Sequence, residues 1–489
     1  MRYPHFIDGS YEVQSIMADV QRTVNLYPQI VESEGGKNAV TLMGTPGLSL
    51  HRDLGSASPI RGIDPGVSYI GGSYYFHCFS GSGLYRVEAV TGASSTKMQT
   101  IADDTYHTPV AACPGGNVDL FIVSAGVAYQ YTCATDTFAA VANLAGKVCI
   151  GAVYLDGYNI TAVPAEGKYY ISGLNDSTNW NLLDYGAPNL YAGIGSIWEN
   201  HGELWLQGGL NTEVHYDSGD TDFPFQRIPG SRFPQGSRYP YSVAICNNAP
   251  MWIGLDVNGG SVVWKADNYL PVRVSNHAVE KALNAYVTST SVVEKVRAWT
   301  FKDNGHEFYV LNIDTDVSWV YDALTGRWFE WAYYTAGTGL YSGHLGRCHS
   351  FINNTHMVGS RVDGKIYKMA SSYYDDAGDP IKRMRRAPHL ADEGKVFTYS
   401  NFQLDMETGI DASVGATGVM TLRYSNDGGK TYSTPRDTAI GATGAYKTRA
   451  LWRRLGSARD RVFEVYSVAP IPHCWTDAFI NHLGVQQAA

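Results

Sequence analysis

The chain has 489 residues, a net charge of −9 and only 17% charged residues. A chain of this length accommodates one large β domain with smaller parts attached, and its acidic balance argues against a protein that grips DNA through its phosphates. The 34 tyrosines, 11 tryptophans and 52 glycines fit strands and turns. The 7 cysteines are scattered without C-x-x-C spacing, which excludes a disulfide scaffold and points to a reducing compartment. The start, MRYPHFIDGSY, lacks the layout of a signal peptide, and no run reaches the length of a membrane span. A soluble protein made in a cytoplasm is expected.

Residues 1–58 read as an N-terminal arm. Val24–Val31 and Asn38–Met43 predict a hairpin around Glu34-Gly35-Gly36, followed by the rigid turn Gly44-Thr45-Pro46-Gly47. Such an arm either completes the last blade of a propeller or packs on a neighbouring domain.

Residues 59–375 form a repeat region. An aromatic closing strand followed by a polar turn recurs at Tyr85, Tyr129, Tyr170, Tyr216, Trp264, Tyr321 and Tyr367, most copies preceded by a Gly-bounded apolar strand. A loose period of roughly 40–50 residues with several strands per unit is the signature of a β-propeller, here irregular and with six or seven blades. The best-defined unit is Trp299–Trp331, where the Asp322 carboxylate caps a turn that Gly326 closes in a left-handed conformation. One helix is predicted, Asn276–Thr288, with Ser275 or Asn276 as N-cap and an apolar stripe of Ala278, Val279, Ala282, Leu283 and Tyr286.

The composition changes near residue 376. The stretch holding Lys382, Arg383, Arg385 and Arg386 reads as an exposed connection or an edge strand. Val396–Met406, Gly418–Ser425, Lys447–Leu455 and Arg461–Val468 then predict a small antiparallel, sandwich-like domain over 376–489 with a frayed Gln/Ala tail.

Motifs with catalytic associations dissolve on inspection. Ser425-Asn426-Asp427-Gly428-Gly429-Lys430-Thr431-Tyr432 resembles the Asp-box of sialidase propellers, which is a structural turn, and it occurs once, outside the repeats. Its GGKT lacks the first glycine of a P-loop and lies between strands. Asp119, Asp156, Asp217, Asp256, Asp314 and Asp322 sit at hairpin ends, where turn capping accounts for them, and no pair stands out for glycoside hydrolysis. His344, Cys348 and His349, or His201 with Glu203, lack metal-site spacing. No enzyme, cofactor or metal is expected. Lys382, Arg383, Arg385 and Arg386, together with Arg449, Trp452, Arg453 and Arg454, are the candidate interface, because arginine and tryptophan are favoured where proteins meet. Intramolecular ion pairs are the other reading of the second cluster, which extends to Arg459 and Arg461.

Four stretches carry a resemblance to a known family: NLYPQ…LMGTPGL at 25–48, VSNHAVEKAL at 274–283, NGHEFYVLNI…WVYDALTGRWFEW at 304–331, and YSNDGGKTYSTPR…YKTRALWRRLGSARDRVFEVYSVAPIP at 424–472. In these the chain resembles the tail-hub, or nozzle, proteins of short-tailed bacteriophages, the packaged DNA stabilisation proteins. The resemblance implies a non-catalytic virion protein of the tail. It would form a hexameric ring below the head–tail adaptor, continue the DNA channel, retain the genome, and dock tail fibres or spikes and a plug or needle. Genomic double-stranded DNA would pass without sequence-specific contacts, easily so if acidic side chains face the lumen, and no membrane insertion is implied. Two other classes keep a place: a carbohydrate-active, sialidase-like propeller, and a peptide-binding propeller scaffold.

Overall fold

Two-residue turns set the plan of the molecule. Asp156-Gly157, His201-Gly202, Asn247-Asn248, Asn304-Gly305 and Asn353-Asn354 each hold consecutive residues at positive φ, the geometry whose twist matches that of the strands it joins. Each connects the first two strands of a four-stranded antiparallel sheet. The computed structural model describes residues 1–12, 15–31, 39–64, 66, 68–104, 107, 109–113, 119–133, 135–191, 193–286, 296–313, 318–410 and 418–483.

Among the described residues, seven such sheets follow one another as blades. Blade 1 comprises Ile60–Ile63, Ser73–Ser80, Gly83–Glu88 and Ser95–Thr100, and blade 2 Val110–Cys113, Asp119–Ser124, Val127–Thr132 and Thr137–Ala140. Blades 3 to 5 span 150–186, 196–227 and 244–273. Blade 6 is Val296–Asp303, His306–Ile313, Ser318–Asp322 and Arg327–Thr335. Blade 7 takes Gly346–Ile352, Thr355–Ser360 and Lys365–Ala370 from the end of the region and its fourth strand, Gly47–Asp53, from the arm. The seven aromatic markers of the repeat fall one in the third strand of each blade.

Each pair of neighbouring blades shares its own apolar core, so the ring is a cycle of sheet-on-sheet contacts. Phe79, Leu84, Leu120 and Tyr131 fill the gap between blades 1 and 2, and Phe121, Val123, Val163 and Trp180 that between 2 and 3. Trp205, Phe233 and Trp252 join 4 to 5, and Trp299, Phe308, Val358 and Tyr367 join 6 to 7. Ile60, Phe76, Cys348 and Met357 close the circle between 7 and 1. The helix, His277–Tyr286, packs Ala278, Val279 and Leu283 into the core between blades 5 and 6. Its cap is Asn276, whose Oδ1 accepts the Val279 N–H at 3.0 Å. The predicted continuation to Thr288 lies outside the described residues, as do the Glu34-Gly35-Gly36 turn and the Gln/Ala tail.

The C-terminal part is a sandwich of two sheets around Tyr3, Phe402, Leu422, Trp452, Phe463 and Trp475. One sheet runs Leu26–Ile30, Val40–Gly44, Cys474–Leu483, Phe397–Met406, Ala450–Arg453. The other runs Arg383–Arg386, Asp460–Ser467, Val419–Ser425, Arg436–Ala439. All four strands predicted here are present. The arm therefore does both things left open by its sequence: Gly47–Asp53 completes blade 7, and Leu26–Ile30 with Val40–Gly44 pairs into the sandwich. One expectation is corrected. Arg383–Arg386 is no exposed connection or edge, but an interior strand between Val20–Val24 and Asp460–Ser467.

Gly47 enters the last blade under the backbone of 373–375, where an added Cβ would lie 2.5 Å from the Asp375 carbonyl oxygen and 2.6 Å from that of Tyr373. Backbone cannot step aside as a flexible side chain can. Gly47→Ala is therefore expected to lower stability by about 1–3 kcal/mol in urea unfolding. Gly337→Ala, with nothing within 4 Å of its Cβ position, should stay within about 0.5 kcal/mol of the parent.

Candidate functional site

The propeller and the sandwich are joined by one continuous sheet. Val20–Val24 runs parallel to the outer strand of blade 6, with Val24 opposite Glu330. On its other side it pairs antiparallel with Arg383–Arg386, with Arg22 opposite Arg386 and Val24 opposite Met384. The next residue, Asn25, is fully buried and left-handed, with φ of 56°. It turns the chain out of this sheet so that Leu26 starts a strand of the other. Every polar group of Asn25 is used. Its Nδ2 donates to the carbonyls of Ala332 (2.9 Å) and Lys382 (3.0 Å), and its Oδ1 accepts the Ala332 N–H at 2.8 Å. Its own N–H donates to the Glu330 carbonyl, and its carbonyl accepts the Thr45 N–H. Asparagine suits the position because it tolerates a left-handed backbone and its amide imitates a peptide unit.

Across the same sheet runs a row of charges, one from each strand: Glu330, Arg22, Arg386, Glu464 and Arg423. Glu330 on blade 6 is 3% exposed and accepts Arg22 Nε at 3.0 Å and the Ser10 hydroxyl at 3.1 Å. Arg22 lies beside Arg386, whose Nε donates to Glu464 at 3.0 Å. Arg423, on the far side of Glu464, donates its Nε at 2.6 Å. Burial alone would raise the pKa of Glu464, but Arg386 and Arg423 more than offset it and hold the carboxyl below its ordinary value. Tyr432 lies against the guanidiniums of Arg386 (5.3 Å) and Arg423 (4.5 Å). Lys382 is surrounded by the rings of Tyr334, Tyr341 and Tyr466 at 5.1, 5.4 and 4.3 Å, an arrangement that stabilises a cation through aromatic faces.

The candidate interface residues separate by location. Arg383 and Arg385 are 1% and 0% exposed and bind within the chain. Arg385 donates to the carbonyls of His5, Phe6 and Gly9, to the Thr23 hydroxyl and to Gln21 Oε1, and so ties the first residues of the arm to the joint. Burial draws Arg383 down to about 10, countered in part by Asp376, and one of its N–H groups reaches the Thr45 carbonyl at 3.4 Å. Trp452 is buried in the sandwich core, its Nε1 donating to the Arg436 carbonyl at 2.8 Å. Lys382 and Arg386 are partly buried in the joint. Arg449, Arg453 and Arg454 are exposed, at the edge strand Ala450–Arg453 and the turn after it. The two basic clusters thus do not converge on one surface. Asn25, Arg22, Glu330, Arg423 and Glu464 escaped the sequence reading. The available signal was charge at inward positions of otherwise apolar strands, as in RVFEVYS at 461–467.

The remaining candidates for chemistry have structural roles. Asp322 accepts the Leu324 N–H at 3.0 Å and the His306 ring nitrogen lies 2.9 Å from it; Asp256 and Asp217 cap their own turns in the same way. Asp314 lies outside the described residues. His344 stacks on Trp331 at 3.9 Å and burial draws it down to about 3. His349 pairs with His356 at 2.9 Å, and His201 faces the Asn248 carbonyl at 3.1 Å. In the Asp-box-like turn, Asp427 accepts the N–H groups of Lys430 (3.0 Å) and Thr431 (2.9 Å) and the Ser425 hydroxyl (2.6 Å), and these bonds hold its carboxyl well below the ordinary range. Among the described residues, no three His, Cys, Asp or Glu side chains gather as a metal site, and no helix is long and apolar enough to cross a membrane.

A seven-bladed propeller, closed by an N-terminal strand and continuous through one sheet with a β-sandwich, defines an all-β protein class of two welded parts. Residues 7–374 match the family model described as bacteriophage P22 Gp10, β-propeller, and residues 382–482 the one described as bacteriophage P22 Gp10, β-sandwich. The chain belongs to the bacteriophage P22 Gp10 family: it is a phage virion protein of the tail that stabilises packaged DNA. No curated relative matches the chain. Among solved structures it is similar to virginiamycin B lyase from Staphylococcus aureus, with a TM-score of 0.42 and 9% identity over 64% of this chain and 95% of that one. YCF48 from Cyanidioschyzon merolae gives 0.39 and 11% over 66% and 98%. No activity is transferred from either.

Two outcomes are expected of the joint. Asn25→Ala leaves buried carbonyls and an N–H unpaired and places a Cβ-bearing residue without a local partner in the left-handed region. It should cost about 3 kcal/mol or more in urea unfolding, and Asn25→Gly should recover only the backbone share, about 1 kcal/mol. Because the folded pKa of Glu464 lies below the unfolded one, its contribution is complete above pH ~4.3 and is lost as pH falls through the folded value. Stability measured between about pH 6 and pH 3 should therefore fall less steeply in Glu464→Gln than in the parent.

Proposed function

We propose that this protein is the hub, or nozzle, of a short phage tail. Copies of the chain form a ring of six below the head–tail adaptor, extend the DNA channel and provide docking surface for fibres or spikes and for a plug or needle. Membership of the P22 Gp10 family supports this reading, and the observation that carries it furthest is the unbroken sheet from blade 6 into the sandwich. A retaining ring must bear load without its parts swinging apart, and a hydrogen-bonded sheet crossing the boundary opposes hinge motion where a linker would permit it. In this reading 1–58 is the arm that staples the propeller of 59–375 to the C-terminal domain of 376–489. Arg449, Arg453 and Arg454, exposed on the sandwich, belong to the contact between subunits. Catalysis has no part in this reading, in which Asp217, Asp256, Asp322, His201, His344 and His349 serve in caps, stacks and pairs.

The test is the mass of the purified protein alone and after mixing with its cognate adaptor–portal complex. A monomer alone that becomes a six-fold ring on the complex is the expected result. A monomer that ignores the complex would overturn the hub assignment, and turnover or retention of oligosaccharides in a glycan screen would then favour a carbohydrate-active propeller. Arg453→Glu with Arg454→Glu should weaken ring formation without changing the unfolding transition of the monomer.

A further inference from the structure

The innermost strands of the blades surround an axial cavity of about 610 Å3, within the size range of small-molecule sites. Its wall is rich in small residues, among them Gly126, Gly151, Ala152 and Gly195, and two arginines enter it from adjacent blades. Arg297, on the first strand of blade 6, is 7% exposed, and its Nη1 is buried with no hydrogen-bond partner among the described residues. Its guanidinium lies 5.5 Å from the ring centre of Tyr241, another lining residue. Arg347, on the first strand of blade 7, lines the same cavity. Burial draws Arg297 down to about 9, with Arg347 adding like-charge repulsion.

The carboxylate at hand is shared with a third arginine. Asp104 also lines the cavity, but it pairs with Arg61 at 3.3 Å, and Asp103 lies 3.6 Å from the same guanidinium. Arg61 is 1% exposed and completes its bonding on the carbonyls of Gly81 (2.9 Å) and Ala102 (3.2 Å). His107, whose ring is 5.6 Å from that of Tyr241, is drawn down to about 3 by burial and by Arg297 and Arg347, so it adds no charge at neutral pH. The indole N–H groups of Trp198 and Trp299, two further lining residues, are buried without partners among the described residues. Three orphaned donors, Arg297 Nη1 and these two indoles, thus belong to residues that line one cavity.

A guanidinium held in low dielectric without its full complement of acceptors is costly, and the planar fork of arginine matches a carboxylate or phosphate. We propose that the axial cavity of the propeller is a binding site for a small oxyanion, a phosphate or carboxylate group, received by Arg297 and Arg347. The ligand bridges blades 6 and 7 from inside the ring. It supplies an acceptor for Arg297 Nη1, which has none among the described residues.

The test is calorimetry on the full chain, titrating inorganic phosphate in one arm and succinate in the other, with thermal unfolding followed at constant ionic strength. The expected result is binding near one per chain for at least one probe, with a saturable rise of a few degrees in Tm. Arg297→Met and Arg347→Met should each abolish both signals. In anion-free buffer Arg297→Met should melt no lower than the parent, because it removes a buried guanidinium whose Nη1 has no acceptor among the described residues. No binding of either probe would overturn the proposal. So would an equal, unsaturating rise in parent and variants, which is what general salt exclusion gives. If one variant fails to fold, the other together with the parent titration decides.

Discussion

The fold depends on one buried residue that belongs to two sheets at once. Asn25 leaves the propeller-side strand in a left-handed conformation and sends the chain into the opposite sheet of the sandwich, while its amide fills the backbone positions that the turn vacates. A residue without that side chain would leave a gap in the ladder where blade 6, the arm and Arg383–Arg386 converge. The row of carboxylates and guanidiniums on either side sets register more than it adds stability. A slip of one residue would part each guanidinium from its carboxylate and drive it toward an apolar face.

Seen from the propeller, the joint also solves an edge problem. The outer strand of a blade normally presents unpaired backbone groups, and an exposed edge invites pairing with other chains. In blade 6 that edge is consumed by Val20–Val24, and in blade 7 the outer position is filled by Gly47–Asp53, to which Asp375–Asp376 adds further cover. At the far side of the sandwich the last strand carries Arg453, and charge protects the edge in place of pairing.

The propeller was legible because its repeat is written in residues with a mechanism. Tyr85 through Tyr367 mark the third strand of each blade, and the Asp-Gly, Asn-Gly and Asn-Asn turns, each the first hairpin of its blade, would have fixed the count more sharply, since left-handed pairs of this kind tolerate few residues. The sandwich strands were found through alternation. What could not be read was pairing at a distance. Lys382–Arg386 looks solvated because four basic residues in five ordinarily are. Only the fold brings the carbonyls of His5, Phe6 and Gly9 to Arg385 and the carboxylate of Glu464 to Arg386. Trp452 was recognised as an anchor, but whether its pocket lies in its own chain or a neighbour is a question of topology. Arg297 and Arg347 carry no local signal at all; they line one cavity only because a ring brings blades 6 and 7 together at its axis.

The closing strand of blade 7 has a bearing on biosynthesis. Gly47–Asp53 emerges early from the ribosome, yet its partner strand Lys365–Ala370 follows roughly 300 residues later, an interval of tens of seconds at ~5–20 residues per second. Through that interval this early strand waits for the last blade, and each intermediate blade can fold against its predecessor without completing a circle. The chain is thus stitched shut from its beginning only when the propeller is whole, and a truncated translation product lacks the partner that would hide its own N-terminal strand. Ring closure doubles as a check that the message was read to the end of the propeller.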